Sequence, residues 1–394
     1  MKEFLHVLTA ILAVSILLPI EIVDAQSTGK KGVPGLKKPL QTPPSVPKEW
    51  EVEWQKTLEA GRKEGKISAY VGQLSAAVRK QAPMFKKKFG IEIEVMVGQG
   101  GALAQKLRTE KTAGLSVADV LLSGANTAID VKQMGLTAPM DDKLILPEVT
   151  DAKLWYTLDS LPWMDDAKHL FHILAYPNRD IAINTDQVKP GEIQSWQDLL
   201  KPKYKGKIVW ADPTIYGSGF NGFANNIINK VTDENYYRQL VATQNITLSS
   251  NSRQTGEWLA RGKYAVGISV GGETIAALLN AGAHLAHVTV KEGTYLSYGA
   301  GILAIMANAP HPNATKVFVN WLLGKEGQDF AQRATKYMSA RNDIATEGIV
   351  NPESMRVPGE RYFVAANTLE KWNDTDQPKY LALAKEIFGA LTGR

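Results

Sequence analysis

The chain has 394 residues, long for one ordinary domain and suited to two. Its 44% hydrophobic and 22% charged content excludes a disordered or collagen-like chain and supplies enough apolar material for two cores. The absence of cysteine excludes disulfides, thiolate metal sites, a cysteine nucleophile and lipid attachment at a leader cleavage site, and the formal charge is +5.

Residues 1–25 read as a secretory signal peptide. An apolar run from Val7 to Ile20 is followed by Val23-Asp24-Ala25, with small residues at the −3 and −1 positions of a cut before Gln26. The run is short for a bilayer-spanning helix, which needs about 20 residues, and Pro19 interrupts it. Retention as a membrane anchor is the alternative. The segment carries Lys2 against Glu3, Glu21 and Asp24, so the mature chain is about +7. Its lysines are scattered and read as solvated surface, and no arginine–aromatic interleaving points to nucleic acid. Residues 26–48, rich in Gly, Pro, Lys and Ser, are expected to be a flexible linker.

The body starts near Glu49, where Trp50, Trp54 and Leu58 have helical spacing. Lys66–Val71 reads as a strand ending in Gly72-Gln73-Leu74-Ser75. A helix over 76–89 is closed by Gly90, with Val78, Ala82 and Phe85 inward. Ile91–Val97 alternates as a strand, Gly98-Gln99-Gly100-Gly101 opens a helix over 102–112, and 118–122 is a buried strand ending at Ser123-Gly124-Ala125. Three β-α units at such spacing predict a parallel sheet, whose ligands gather at the carboxyl ends of the strands.

Ala175–Thr185 reads as one strand-like connection into a second lobe. That lobe carries a strand over 207–211, the loop Asp212–Gly219, a helix over 220–230, a strand over 264–270, then Gly271-Gly272-Glu273 and a helix over 274–281. The chain is expected to return to the first lobe near Gly299–Ile305. The expected partition places 49–175 and 300–350 in lobe one, and 176–299 and 351–394 in lobe two.

Several segments carry a family resemblance: Ser195-Trp196-Gln197-Asp198-Leu199-Leu200-Lys201-Pro202-Lys203-Tyr204-Lys205-Gly206-Lys207-Ile208, Asp212-Pro213-Thr214, Gly217-Ser218-Gly219, Gly262–Ile268, Ala309–Gln328 and Tyr337–Asp343. From about Glu49 to Asp343 the chain resembles extracellular, periplasmic solute-binding proteins of ABC transporters, of the iron, thiamine, polyamine and phosphonate type. The resemblance implies an α/β, two-lobe periplasmic-binding-protein fold of class II type, with two hinge strands and closure on a ligand. It implies an ABC permease as partner, a periplasmic location, no cofactor and no catalytic residue; a monomer is expected. The ferric-ion branch places two adjacent tyrosines after the strand that here ends at Val270, and a histidine in the first loop. This chain has Gly271, Gly272 and Leu74 there, so a bare ferric site is not expected.

The candidate ligand-binding residues are Ser75, Ser123, Gly124, Ser218, Gly219, Gly271, Gly272 and Tyr298. Glycines let backbone N–H groups approach a ligand, and a helix N-terminus favours negative charge, so Gly217-Ser218-Gly219 points to a phosphate, phosphonate or carboxylate. A plain turn with Ser218 as helix cap is the other reading. Ser75 and Ser123 either donate to the ligand or cap a helix. Gly271 and Gly272 either leave room for a ligand larger than a metal ion or form a tight strand-to-helix turn. Tyr295 and Tyr298 either line the cleft or pack at the lobe junction, and Arg253 either clamps an oxyanion or lies on the surface. His169/His172 and His284/His287 have the i,i+3 spacing of possible metal pairs, without a carboxylate in the accompanying order. No nucleophile elbow, phosphate-binding loop or dinucleotide fingerprint occurs. An exported enzyme or a sensory module on the same bilobal fold stays open as the alternative.

Overall fold

The computed structural model describes residues 48–364 and 377–392, with breaks at 73, 99–100 and 298–300. The expected signal peptide, most of the linker and Tyr298 lie outside the described residues. No helix among the described residues is long and apolar enough to cross a membrane.

In chain order the first half comprises α1 (Glu49–Glu64), β1 (Lys66–Val71), α2 (Ser75–Phe89), β2 (Glu92–Val97), α3 (Gly101–Thr112), β3 (Val120–Ser123), α4 (Ala125–Gln133), β4 (Thr137–Ala138), α5 (Pro147–Thr150) and β5 (Leu170–His172). After β6 (Tyr176–Asn178) come β7 (Ile181–Asn184), β8 (Ile208–Ala211), α6 (Ser218–Ile228), α7 (Glu234–Gln244), β9 (Thr247–Ser249), α8 (Ser252–Ala260), β10 (Val266–Ile268), α9 (Gly272–Asn280) and β11 (Leu285–His287). The remainder is β12 (Thr294–Ser297), β13 (Ile302–Met306), α10 (Pro312–Leu323), α11 (Lys325–Thr335), β14 (Tyr362–Val364) and α12 (Gln377–Phe388).

These strands form two α/β sheets and a narrow connecting one. Sheet one is six-stranded, ordered β2-β1-β3-β13-β4, with β5 also pairing β13. Its strands β1, β2 and β3 are mutually parallel, as β-α repetition requires, and β13 runs antiparallel against β3. Alternate residues feed opposite faces. Ile67, Ala69, Val71, Val120 and Leu122 join one core, while Tyr70 and Leu121 join another. A sheet covered on both faces accepts the near-continuous apolar runs seen in β1 and β3. Sheet two is five-stranded, ordered β11-β7-β10-β8-β9, with β8, β9 and β10 parallel. Its larger core holds Trp196, Trp210, Phe220, Phe223 and Tyr237, to which α12 adds Ala384, Ile387 and Phe388.

The narrow sheet, ordered β14-β12-β6, is the hinge. The chain leaves sheet one after β5, runs through β6 and enters sheet two at β7. It returns from β11 through β12 to β13 in sheet one. β6 and β12 pair antiparallel, with Tyr295 opposite Asn178 and Ser297 opposite Tyr176. A third strand, β14, lies parallel to β12. The segment 175–185 is therefore not one strand. It breaks at Arg179-Asp180, where the chain passes from pairing with β12 in the narrow sheet to pairing with β10 and β11 in sheet two. The strand expected over 264–270 is likewise shorter, because Ser269 takes a left-handed backbone at φ 53°.

Candidate functional site

Parallel pairing brings the carboxyl ends of β1, β2 and β3 to one edge of sheet one. Val71 stands opposite Val97 and Leu122. Beyond these ends the Gly72 N–H donates to the Leu122 carbonyl at 2.9 Å and the Gly98 N–H to the Val71 carbonyl at 3.3 Å. Helices α2, α3 and α4 start there. The same logic collects the ends of β8, β9 and β10 in sheet two, where the Asp212 N–H donates to the Ser249 carbonyl at 2.9 Å. Helices α6, α8 and α9 start on that edge.

Several of these helix N-termini share an unusual feature. The N-cap residues of α2, α4, α6 and α9 are Leu74, Gly124, Gly217 and Gly271, and none supplies a side-chain cap. On the same lobe-two edge α8 is instead capped by Asn251. Away from the edges Asp233 caps α7, Glu64 accepts from Asn313 and Ala314 at the start of α10, and Glu148 accepts from Lys325 at the start of α11. In addition α2, α3, α4 and α6 carry no acidic residue in their first turn. At these helix starts no N-cap side chain competes for the first-turn N–H groups, although the Ser75 N–H donates to the Gly72 carbonyl at 3.1 Å and the Thr274 N–H to the Gly271 carbonyl at 2.9 Å. Helix α9 carries Glu273 in its first turn. The positive end of each helix dipole faces the edge.

The predicted residues divide between the two edges. Ser75, Ser123 and Gly124 lie on that of sheet one; Ser218, Gly219, Gly271 and Gly272 lie on that of sheet two. Neither Ser75 nor Ser218 is a cap: each occupies the first helical position, after Leu74 and Gly217. Ser218 is exposed and Ser75 half-buried. Ser123 is 2% exposed, and its hydroxyl donates to the Gly124 carbonyl at 3.2 Å. Gly219 differs from the expectation of a glycine kept small for a ligand. A Cβ there would fall 1.9 Å from the Ala211 carbonyl oxygen, so its bareness is required by the packing of α6 on β8. Around Gly272 a Cβ would meet nothing within 4 Å, so open space does lie there.

The weaker candidates resolve into ordinary roles. The Arg253 side chain is 87% exposed and pairs with Glu257 one turn away. Tyr295 is buried in β12, where its hydroxyl accepts from Asn178. His169 bonds Thr137 at 2.7 Å, and His172 lies in the core beside Tyr156, its pKa pushed down to about 3 by burial. His284 pairs with Asp186 on the surface, and burial pushes His287 down to about 4. No group of three or more metal-ligating His, Asp or Glu side chains occurs among the described residues.

Two residues outside the sequence-derived set shape the lobe-two edge. One oxygen of Asp212 accepts from both the N–H and the hydroxyl of Thr214, at 2.8 and 2.6 Å, and so folds the Asp-Pro-Thr loop that leads to Gly217. The Asp-Pro pair was the available signal. Asp180, buried behind the same edge, had none, because its lobe-two partners Asn226 and Ser269 are distant in sequence.

A sequence model of the family described as bacterial extracellular solute-binding protein matches residues 80–355. An uncharacterized protein of Haemophilus influenzae is 24% identical over 283 residues, 68% of this chain and 75% of that one. The spermidine/putrescine-binding periplasmic protein of Escherichia coli is 28% identical over 177 residues, 44% of this chain and about half (49%) of that protein. Among solved structures, the periplasmic binding protein AfuA from Actinobacillus pleuropneumoniae, with fructose-6-phosphate bound, superposes with a TM-score of 0.54 at 22% identity, covering 84% of this chain and 99% of that one. The Trichodesmium protein IdiA (FutA), in complex with iron and citrate, gives 0.62 at 17% identity, with coverage of 82% and 99%. At these identities the structural likeness establishes the two-lobe fold.

Proposed function

The chain belongs to the bacterial extracellular solute-binding protein family, and on that premise we propose that it is the receptor of an ABC importer for a small solute bearing a phosphate, phosphonate or carboxylate. The observation that supports the anionic part is the set of helix starts at the strand ends whose N-cap residue has no side-chain acceptor and whose first turn holds no acid, α2 and α4 in lobe one and α6 in lobe two. Each hydrogen bond to a charged group contributes about 1.5–3 kcal/mol. Three or four such bonds from fixed donors support micromolar binding, about −8 kcal/mol, after the costs of association. Donors contributed by both lobes favour the closed state, since only differential affinity shifts that equilibrium.

Relatives are named for a sugar phosphate, for iron with citrate and for polyamines. A polyamine would need carboxylates, which the lobe-two edge offers, among the described residues, only at Asp212, one oxygen of which accepts from Thr214, and at Glu273 in the first turn of α9. A ferric ion bound through a tyrosine pair is disfavoured by Gly271 and Gly272. The proposed location is the periplasm, reached through the leader at residues 1–25, with a permease as partner.

A thermal-shift panel of phosphate esters, phosphonates, di- and tricarboxylates, spermidine and ferric citrate tests the reading. Stabilisation by one of the anions, with no charge-transfer colour from ferric citrate, is expected. Stabilisation by spermidine alone would move the chain to the polyamine branch.

A further inference from the structure

Asp180 stands between the first hinge strand and lobe two, and its carboxylate touches three different elements. Oδ1 accepts from Asn178 Nδ2 in β6 at 3.2 Å and from Ser269 Oγ, just after β10, at 3.3 Å. Oδ2 accepts from Asn226 Nδ2 in α6 at 3.0 Å. The backbone joins in, with the Ser269 N–H donating to the Asp180 carbonyl at 2.6 Å. Ser269 is held in the left-handed region, which a serine rarely adopts, and two residues later the chain reaches Gly271. Helix α6 begins at Ser218 and approaches this cluster through Gly222. A Cβ on Gly222 would lie 2.5 Å from Ser269 Oγ and 2.8 Å from Asp180 Oδ1. One carboxylate therefore bonds the hinge strand, the helix that opens at Ser218 and the turn that leads to Gly271-Gly272.

We propose that Asp180 is a positioning residue that couples hinge strand β6 to the two lobe-two ligand turns, at Ser218 and at Gly271-Gly272. The inference rests on the anion-receptor reading for the purpose of those turns, although the coupling itself is a property of the apo chain. Asp180 is enclosed, its three donors are neutral, and burial pushes its pKa up to about 7 despite the bonds from Asn226 and Ser269. The groups facing it from the neighbouring elements hold their charge state across neutral pH. Tyr237 of α7 and Tyr295 of β12 are raised far above the ordinary phenol range by burial, and His287 of β11 is pushed down to about 4. The guanidinium of the adjacent Arg179 is taken by Glu360 and by the carbonyls of Glu353 and Met355. Protonation adds an O–H among three donors, so their bonds must rearrange. The contact to Ser269, the longest and made by a hydroxyl that can also accept, is the one expected to reverse or yield.

The test is amide hydrogen exchange on the full chain without ligand, at about pH 5 and about pH 9 after correction for intrinsic rates, where local opening is read segment by segment. Peptides across 267–275 and 218–226 are compared with a reference in β1. In the wild type the first two are expected to change protection by about threefold or more between the two pH values while β1 does not. Asp180→Asn abolishes that pH dependence. Ser269→Ala, which keeps the carboxylate, reduces it at 267–275 and leaves it at 218–226. Equal pH dependence in wild type and Asp180→Asn, or no pH dependence in the wild type, overturns the proposal. A parallel titration with fructose 6-phosphate at both pH values separates the two ideas. Failure of the wild type to bind counts against this probe class as cargo, while the exchange result alone decides the role of Asp180.

Discussion

The buried carboxyl of Asp180 makes a stability prediction whose sign can be worked out. Its folded pKa, about 7, lies above the ordinary aspartate value of 3.8. Between these values the folded state binds more protons than the unfolded one. The contribution is thus fully present below about pH 4 and is lost as pH rises through about 7. Asp180→Asn removes this linkage. Thermal melting of both proteins across that window should show the difference shifting in favour of the variant as pH rises, by an amount on the order of a few kcal/mol. A constant difference would mean that the carboxyl titrates normally. Such a charge persists where an amide would avoid the desolvation, which fits a role in position rather than stability. Nothing in the local sequence marks it. Arg-Asp falls inside the segment read as one strand-like connection, and only the fold brings Asn226 and Ser269 to it across 46 and 89 residues.

At the scale of elements, the sequence shows the strand ends clearly because their turns are built from Gly and Ser, and helix starts read from it lie within two residues of those observed. It shows less where long-range pairing decides. The strands β4, β5 and β14 are two to three residues long and take their conformation from β13 and β12, so periodicity cannot find them. The α6 N-terminus also separates two glycine roles that look alike in sequence. Gly219→Val drives a side chain into the Ala211 carbonyl and should destabilise the protein by about 3 kcal/mol or more in denaturant unfolding, with or without ligand. Ser218→Glu places an acid on the exposed first helical position. It should leave stability equal or slightly raised, by up to about 1 kcal/mol through the helix dipole, while removing anion binding. Normal anion affinity in Ser218→Glu would place the ligand away from this helix.

For the whole molecule, two sheets gather the carboxyl ends of their parallel strands at defined edges and are joined by β6, β12 and β14, so on the proposed reading Asp180 would connect the lobe-two turns to the hinge. Family membership accounts for this architecture but leaves the cargo open, since similar folds are named for sugar phosphate, iron and polyamine. The proposed anionic cargo rests on helix starts at both edges that lack a side-chain cap and an acidic first turn, α2, α4 and α6. Native mass spectrometry of the protein, purified without added ligand, tests that claim most directly. A small organic or inorganic anion bound one to one, and lost in Ser218→Glu, is the predicted result. A polyamine or a bare metal ion retained equally by wild type and Ser218→Glu would contradict it.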